Sequence, residues 1–269
     1  MKMSNVMETD RVAICVLSRG YFFKWKYKAL IKRNNAIYNN IKSNKEIDFI
    51  VFHEGNISKS AISYINKMSL IKDIKYISVK PLFEKKHNTK SNSICKETPT
   101  SRAFPQGYKC MCQFWFSEFL KHTSEYKYVV RIDEDCFITY FPIDNLISDM
   151  ESGNSKYITP RIYGLDSPDV TVGLDKLCDD FVIDQKLEKQ AKFDRNPYTN
   201  VFILDGEYFR KNKLYAEFSD KVNQTECIYI NRWGDLPLWG CILSLIGDDI
   251  MAVSESIKYM HGSHNELIN

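Results

Sequence analysis

The residues of this chain best suited to chemistry are three consecutive acids, Asp133 to Asp135, which follow the apolar run YVVRI. The β-branched residues of that run predict a buried strand. Parallel sheets bind ligands beyond the carboxyl ends of their strands. Carboxylates at such an end suit a hard divalent cation, which takes oxygen ligands and often shares them with substrate phosphates. Asp133 and Asp135 are therefore predicted to hold a metal ion and a diphosphate-bearing substrate.

The neighbours of these acids leave some alternatives open. An Asp-x-Asp pattern is short and also occurs by chance, and its ordinary alternative is an acidic N-cap for the element that starts near Phe141. Glu134 is expected to point away from the site, because side chains along a strand alternate between faces. Arg131 either pairs with the diphosphate through its guanidinium or orients the acids from within the sheet.

The elements before these acids alternate between strands and helices. Apolar β-branched runs predict the strands, and apolar residues at helical spacing predict the helices. In chain order they are a strand at 12–17, a helix at 24–43, a strand at 47–52, a helix at 58–68 and a strand at 74–79. This alternation predicts an α/β fold with a mixed, mostly parallel central sheet flanked by helices.

The remaining elements surround one long polar segment. Residues 83–106 are rich in Lys, Asn, Ser and Thr and predict a surface loop, which is a candidate lid. The other predicted elements are helices at 108–122, from Phe141, at 179–193, at 207–218 and at 235–245, and strands at 128–132, 157–163 and 200–204. We expect residues 1–269 to form one domain, with a flexible N-terminus at 1–10.

Composition excludes several classes of protein. With 44% hydrophobic and 26% charged residues the chain is globular rather than disordered. A net charge of +3 is too small to argue for nucleic acid, and no basic arm or helix concentrates it. No segment reaches the roughly 20 apolar residues of a membrane span, and residues 1–10 lack the apolar core of a signal peptide. We therefore expect a cytoplasmic protein whose eight cysteines are reduced, without a zinc site at Cys110 and Cys112.

Four separated segments are similar to the motifs of one family. They are YKCMCQF at 108–114, YVVRIDED at 128–135, NRWGDLP at 231–237 and KYMH at 258–261. In this order they resemble motifs of the fungal α-1,2-mannosyltransferases of the Kre2/Mnt1 type (glycosyltransferase family 15), which have a GT-A fold. The resemblance extends from about residue 12 to residue 264, and the Arg-Trp-Gly-Asp block is its most specific part.

The resemblance implies an activity and a cofactor. It implies a metal-dependent glycosyltransferase that moves a hexose from a nucleoside-diphosphate sugar, with GDP-mannose favoured, to a hydroxyl of a glycan or glycoconjugate acceptor. Retention of the anomeric configuration is implied by the family. The cofactor would be Mn²⁺, with Mg²⁺ as the alternative, and His261 would join Asp133 and Asp135 as a ligand through its neutral imidazole.

The remaining candidate residues are predicted to contact the nucleotide or the reacting sugar. Ser18, Arg19 and Glu54 follow the first two strands, where a nucleotide base and ribose would sit. Tyr108 either stacks on the base or packs. We take Asp205 and Asp235 as the candidate catalytic acids, which would contact the reacting sugar or accept a proton.

Ordinary structural roles remain open for some of these residues. Asp235 could instead N-cap the helix that begins near Pro237. Trp233 and Trp239 could form a sugar platform, but burial in the core is favoured for large aromatic side chains.

One position departs from the family pattern. At 199–203 this chain reads TNVFI where the family has SNFEI, so Phe202 stands where the family's proposed nucleophilic glutamate would be. The ring is expected to shape the sugar pocket. The departure leaves two alternatives: a catalytically impaired sugar- or nucleotide-binding module of the same fold and, more weakly, a metal-dependent phosphohydrolase.

Overall fold

The structure of the chain is a computed structural model that describes residues 10–263 and 266–268. The strands in this part of the chain are β1 (Val12–Ser18), β2 (Ile47–His53), β3 (Ile74–Ser78), β4 (Tyr128–Ile132), β5 (Cys136–Tyr140), β6 (Tyr157–Thr159), β7 (Ile162–Tyr163), β8 (Asn196–Pro197), β9 (Val201–Asp205), β10 (Met251–Val253), β11 (Lys258–His261) and β12 (Glu266–Ile268). The expected flexible N-terminus falls on residues 1–9, which lie outside the described residues, and on Asp10.

The helices cover much of the remaining chain. They are α1 (Lys28–Asn40), α2 (Lys59–Met68), α3 (Lys80–Glu84), α4 (Pro99–Arg102), α5 (Gln106–Gln113), α6 (Ile143–Ser152), α7 (Leu174–Gln185), α8 (Gly206–Lys211), α9 (Lys213–Thr225), α10 (Cys227–Asn231) and α11 (Asp235–Ile246). Ser58 N-caps α2 as its sequence predicts, because its hydroxyl accepts a hydrogen bond from the Ala61 amide. Among the described residues, no helix has both the length and the apolar character that a membrane span requires.

The central sheet confirms the predicted fold class. Within the described residues it has seven strands in the order β10-β6-β9-β4-β1-β2-β3. Neighbouring strands are parallel, except that β9 runs antiparallel to both β4 and β6. Every residue of β4 and β9 is buried, because helices cover both faces of the sheet and apolar runs fill its centre. A second, antiparallel sheet has the order β12-β11-β5.

The aromatic-rich segment after residue 105 forms the helical layer on one face of this sheet. The predicted helix at 108–122 is present as α5, a π-helical turn at Phe114–Glu118 and a 3-10 turn at Phe119–Thr123. Its buried rings meet Trp239, whose indole N–H donates to the Trp115 carbonyl at 3.0 Å. Trp233 is also fully buried, so the expected core role of both tryptophans is confirmed.

The segment 83–106 is attached to the rest of the protein by a disulfide and by hydrogen bonds. Cys95 forms a disulfide with Cys227 at the start of α10, so the expectation that all cysteines are reduced is wrong for this pair. The Thr98 hydroxyl donates to the Asp169 carbonyl at 2.9 Å, and the Asn231 side-chain amide donates to the Lys96 carbonyl at 2.8 Å. Most of the segment is exposed, as its polar composition predicts, and the disulfide and these hydrogen bonds fix it to the rest of the chain.

Reduction of this disulfide is expected to lower stability. The bond joins residues 132 positions apart, and such a link restricts the unfolded chain, which typically stabilises a fold by about 2–4 kcal/mol. Urea unfolding with and without dithiothreitol measures the difference. The other cysteines are free thiols, so a Cys95→Ser/Cys227→Ser variant serves as a control that should not respond to the reductant. Equal unfolding midpoints of the parent protein under both conditions would contradict the expectation.

Candidate active site

The candidate site lies at the edge of the central sheet where the parallel strands end. Ser18 ends β1, His53 ends β2 and Ile132 ends β4. Because β9 is antiparallel, its first residue pairs with Ile132 and brings Asn200 to the same edge. This is the edge at which open α/β sheets bind their ligands.

The acids after β4 form a tight turn rather than a continuation of the strand. The Cys136 amide donates to the Asp133 carbonyl at 3.0 Å, and the Asp133 amide donates to the Asn200 carbonyl at 3.0 Å. The Gly262 amide donates to the Asp135 carbonyl at 2.7 Å, which fixes the end of the turn against β11. The strand rule of alternating faces therefore does not apply to residues 133–135.

The expectation that Glu134 points away from the site is wrong. Glu134 turns back toward β1, where its carboxylate accepts hydrogen bonds from the Ser18 hydroxyl at 2.9 Å and from the Tyr21 hydroxyl at 3.1 Å. Burial raises the pKa of Glu134, and the two hydrogen bonds oppose that rise. Arg19 and Glu54 lie nearby at the ends of β1 and β2 and contribute to the local charge. Glu134 therefore lies at the edge where nucleotide binding is predicted, although the alternation of side chains along a strand had argued against this position.

A group of metal-ligating side chains lies at the other end of the turn. Possible ligand atoms of Asp135, Cys136 and His261 all lie within 4.8 Å of one another. The His261 Nε2 atom is 3.6 Å from the Asp135 carboxylate. A carboxylate and a neutral imidazole are ligands that Mn²⁺ accepts, whereas a thiol suits softer metals. Burial, with Asp133 and Asp135 nearby, raises the pKa of the Cys136 thiol well above its usual range. Asp135 and His261 therefore fit the implied metal.

The second sheet brings these two candidate ligands together. In the β5–β11 pairing His261 lies opposite Cys136, the residue after Asp135. The ring of His261 is held further by the Asn200 side-chain amide at 2.9 Å and by the Tyr198 hydroxyl at 3.4 Å. Burial raises the pKa of Asp135, but the nearby His261 and Ser263 outweigh it and hold the pKa at about 2. Asn200 and Tyr198 therefore border the candidate site, and composition and spacing did not single them out.

Asp133 and Asp235 are joined by one buried arginine. Arg131 donates to both carboxylate oxygens of Asp133, at 2.7 and 2.9 Å, and to Asp235 at 2.5 Å. Burial lowers the pKa of Arg131, but the two ion pairs outweigh it and raise the pKa above its usual range. These ion pairs fit the second role considered for Arg131, orientation of the acids from within the sheet, and contact with a diphosphate stays a prediction. Asp133 faces Arg131 and does not belong to the group formed by Asp135, Cys136 and His261, so its contact with the metal stays a prediction.

Phe202 lies in the core and not in a sugar pocket. It pairs with Arg131 across β9 and β4 and is fully buried. Its ring packs against Tyr157 with centroids 4.9 Å apart, and against Trp115 at 6.4 Å. The expectation that this ring shapes the sugar pocket is therefore wrong, because the strand turns the side chain toward the aromatic helical layer.

Asp205 lies at the opposite edge of the sheet from the other acids. It pairs with Tyr128 at the beginning of β4, whereas the candidate site lies beyond Ile132 at the end of that strand. Its carboxylate N-caps α8 by accepting a hydrogen bond from the Tyr208 amide at 2.9 Å. The structure does not bring Asp205 to the other candidate residues, because β9 is antiparallel and its carboxyl end points away from them.

Replacement of Asp205 is expected to affect stability and not ligand binding. Asp205→Ala removes the N-cap of α8 and should cost about 1 kcal/mol of unfolding free energy. GDP affinity should equal that of the parent chain, since the residue lies at the far edge. Urea unfolding and calorimetry measure the two quantities. A large loss of GDP affinity at unchanged stability would return Asp205 to the site.

A second polar group borders a cleft beside α11. Arg232 donates to the Tyr108 hydroxyl at 2.6 Å and to Asp166 at 2.6 Å, and its guanidinium covers the Tyr108 ring. Asp166 and Pro237 line an open cleft of about 550 Å³, and most of its remaining wall comes from residues 165–168 and 171–175. Asp235 begins α11 after the N-cap Gly234, so Asp235 itself is not the N-cap.

Solved glycosyltransferase structures share this architecture. No family model matches the sequence, and no curated protein is similar to it in sequence. Core-mannan synthase A (CmsA/Ktr4) from Aspergillus fumigatus, in an Mn/GDP form, is 16% identical with a TM-score of 0.73, and the match covers 96% of this chain and 76% of that one. The mannosyltransferase Ktr4p from S. cerevisiae is 16% identical with a TM-score of 0.75, over 94% of this chain and 71% of that one.

A third solved structure is more distant. Mouse xyloside xylosyltransferase 1 is 11% identical with a TM-score of 0.55, over 91% of this chain and 85% of that one. The structural likeness agrees with the resemblance drawn from the separated motifs. This chain therefore has the GT-A glycosyltransferase fold, in the form found in the fungal Ktr4 and CmsA mannosyltransferases.

Proposed function

We propose that this chain is a metal-dependent glycosyltransferase that moves mannose from GDP-mannose to a hydroxyl of a glycan or glycoconjugate. The observation that carries the proposal is the meeting of Asp135, His261 and Glu134 at the carboxyl edge of a GT-A sheet. Neighbours of the same fold are named as mannosyltransferases, and one was solved in an Mn/GDP form. A metal-ligand pair beside a nucleotide-binding edge is what a nucleoside-diphosphate sugar requires.

Each residue at this edge has a proposed task. Asp135 and His261 would hold the metal, with the substrate diphosphate supplying further oxygen ligands. When bound, the metal would neutralise charge on the departing diphosphate and act as a Lewis acid. Ser18, Arg19, Glu54 and the newly placed Glu134 would contact the nucleoside, and Tyr108 stays a candidate for stacking on the base.

The Arg131 network has a proposed task at the reacting sugar. Asp133 and Asp235 would be held in fixed positions by Arg131, and Asp235 stays our candidate for contact with that sugar. An ion pair of this kind places a carboxylate accurately, which matters because small displacements of positioning groups cost much of the rate.

The burial of Phe202 favours transfer without a covalent sugar–enzyme intermediate. In that case the acceptor oxygen bonds to the anomeric carbon on the face from which the diphosphate leaves. The bond from that carbon to the diphosphate oxygen breaks, and the hydroxyl proton passes to the leaving oxygen. Retention of configuration would follow. Positioning and electrostatic stabilisation would then supply most of the rate. The 550 Å³ cleft beside Asp166 and Pro237 is our candidate for the acceptor site.

Measurement of released nucleoside diphosphate tests the proposal. The chain is incubated with Mn²⁺ and a panel of nucleotide sugars, with and without a mannoside acceptor. Acceptor-dependent release of GDP from GDP-mannose is the expected result. Release that does not depend on an acceptor would favour the phosphohydrolase. Tight binding in thermal-shift assays with no release from any donor would favour the binding module, which the non-acidic Phe202 makes the second candidate.

A further inference from the structure

An exposed aromatic and basic surface follows β1. We define it as the exposed residues of the sequence FFKWKYK at 22–28, which are Phe22, Phe23, Lys24, Trp25, Lys26 and Lys28. The side chains of Phe22, Phe23 and Trp25 are 93%, 52% and 66% exposed. Exposed apolar residues scattered singly are normal on protein surfaces, but neighbouring ones indicate an interaction site. Phe22 packs edge-on against Phe23 with centroids 4.9 Å apart, and Phe23 stacks on Trp25 at 6.2 Å, so the rings form one patch.

The protein holds the base of this surface firmly while its rings face outward. Tyr27 is fully buried, and its hydroxyl accepts a hydrogen bond from the Tyr21 amide at 2.8 Å. The Gly20 amide donates to the Asn56 side chain at 2.7 Å, and a Cβ at Gly20 would meet the Asn56 backbone at 2.3 Å. The exposed rings therefore stand on an anchored loop, and their exposure is not a consequence of a loosely packed segment.

The charge around these rings has one sign. Residues 19–45 contain eight Lys or Arg residues and no Asp or Glu. Arg33 is buried, and the other seven are Arg19, Lys24, Lys26, Lys28, Lys32, Lys42 and Lys45. The expectation that no segment concentrates positive charge is therefore wrong, because the small net charge of the whole chain hides this block. Lys24, Lys26 and Lys28 are exposed between and beside the rings. A partner for this surface must be anionic and must also accept apolar rings.

We propose that the aromatic and basic surface docks the protein on an anionic lipid bilayer. Trp and Phe rings are favourable at the boundary between headgroups and acyl chains, and each Lys or Arg near an anionic leaflet adds about 1 kcal/mol of attraction. A nucleic acid would also attract the cations. The bilayer fits better because Phe22, the most exposed ring, has an entirely apolar side chain that gains from insertion below the headgroups.

Docking in this way would fix the orientation of the candidate active site. Tyr21 belongs to the same loop, and its hydroxyl donates to Glu134 at 3.1 Å. The bilayer surface would therefore lie beside the edge of the sheet that carries Ser18 and Glu134. The inference goes beyond the proposed transfer reaction and does not depend on it, because vesicle binding is measured without donor or acceptor.

Flotation of the full chain with vesicles tests the inference. Vesicles of phosphatidylcholine mixed with phosphatidylserine are expected to bind the protein, and vesicles of phosphatidylcholine alone are not. The triple variant Lys24→Gln/Lys26→Gln/Lys28→Gln should bind roughly 100-fold more weakly, since each lost lysine costs about fivefold. The triple variant Phe22→Ser/Phe23→Ser/Trp25→Ser should also lose binding. Ile183→Ser serves as the control, because Ile183 is 72% exposed outside this surface.

Tryptophan fluorescence distinguishes insertion into a bilayer from binding to other polyanions. Trp115, Trp233 and Trp239 are buried, so insertion should shift the emission of Trp25 to shorter wavelength. The Trp25→Phe variant should lose this shift while it still floats with anionic vesicles. Three results would overturn the inference: no flotation with anionic vesicles, flotation unchanged in the serine triple variant, or equal affinity for single-stranded DNA and vesicles without a Trp25 shift.

Discussion

Arg131→Met is expected to lower the free energy of unfolding by about 3–5 kcal/mol, which is the usual cost of removing one partner from a buried ion pair. The side chain of Arg131 is only 3% exposed, and it neutralises Asp133 and Asp235 together. Without it, two neighbouring carboxylates at a sheet edge repel each other with no buried cation between them. The same change should abolish any transfer activity, because both acids lose the group that positions them.

Urea unfolding measures this effect, and two further variants test its cause. Arg102→Met removes an arginine whose side chain is 72% exposed and should change stability by less than about 0.5 kcal/mol. Adding Asp133→Asn and Asp235→Asn to Arg131→Met should restore most of the lost stability, because the uncompensated charges disappear. If the triple variant is less stable than Arg131→Met alone, the loss comes from packing and not from charge.

Phe202→Ala is expected to cost about 3–5 kcal/mol, as large-to-small changes of buried aromatic residues do. The ring is fully buried and contacts Trp115, Phe119, Tyr157 and Trp239. Its loss leaves a cavity between the sheet and the aromatic helical layer, beside Arg131. We expect no change in the preference among donor sugars beyond what the loss of stability causes.

The matched control for this variant is Phe22→Ala, which removes a ring that is 93% exposed. It should leave the unfolding free energy within about 0.5 kcal/mol of the parent value. Urea denaturation compares the two variants directly. A Phe202→Ala protein of parental stability with altered donor preference would show that the ring faces the substrate after all.

The sequence was sufficient to predict the long elements of the fold. The strands β1, β2, β3 and β4 appear within one residue of their predicted ends, because each is rich in β-branched or aromatic residues. The short strands β5 and β11 were not predicted. They pair with each other across more than 100 residues of chain, and a local pattern does not show such a pairing. The segment predicted as a helix at 179–193 is displaced, since α7 spans Leu174–Gln185.

The site was predictable only in part, because it also depends on contacts between distant segments of the chain. The acids at 133–135 stood out because they follow a buried strand, but the turn that directs Glu134 toward Ser18 depends on a hydrogen bond to the Asn200 carbonyl and one from the Gly262 amide. His261 entered through the family resemblance, since nothing local marks it. It reaches Asp135 only through the pairing of β11 with β5. The sequence did not show that Asp205 lies at the far edge of the sheet, because the direction of a strand cannot be read from a short apolar run.

The measurement that tests the central claim most directly is the calorimetric titration of GDP with and without Mn²⁺. The account predicts that Mn²⁺ tightens GDP binding to the parent chain. Asp135→Ala should remove this gain, because loss of a ligand costs at least the roughly 10–100-fold that loss of an outer-shell partner costs. Asp205→Ala, the matched aspartate at the far edge, should keep the full gain. Equal Mn²⁺-linked tightening in Asp135→Ala and the parent would contradict the assigned site and the function built on it.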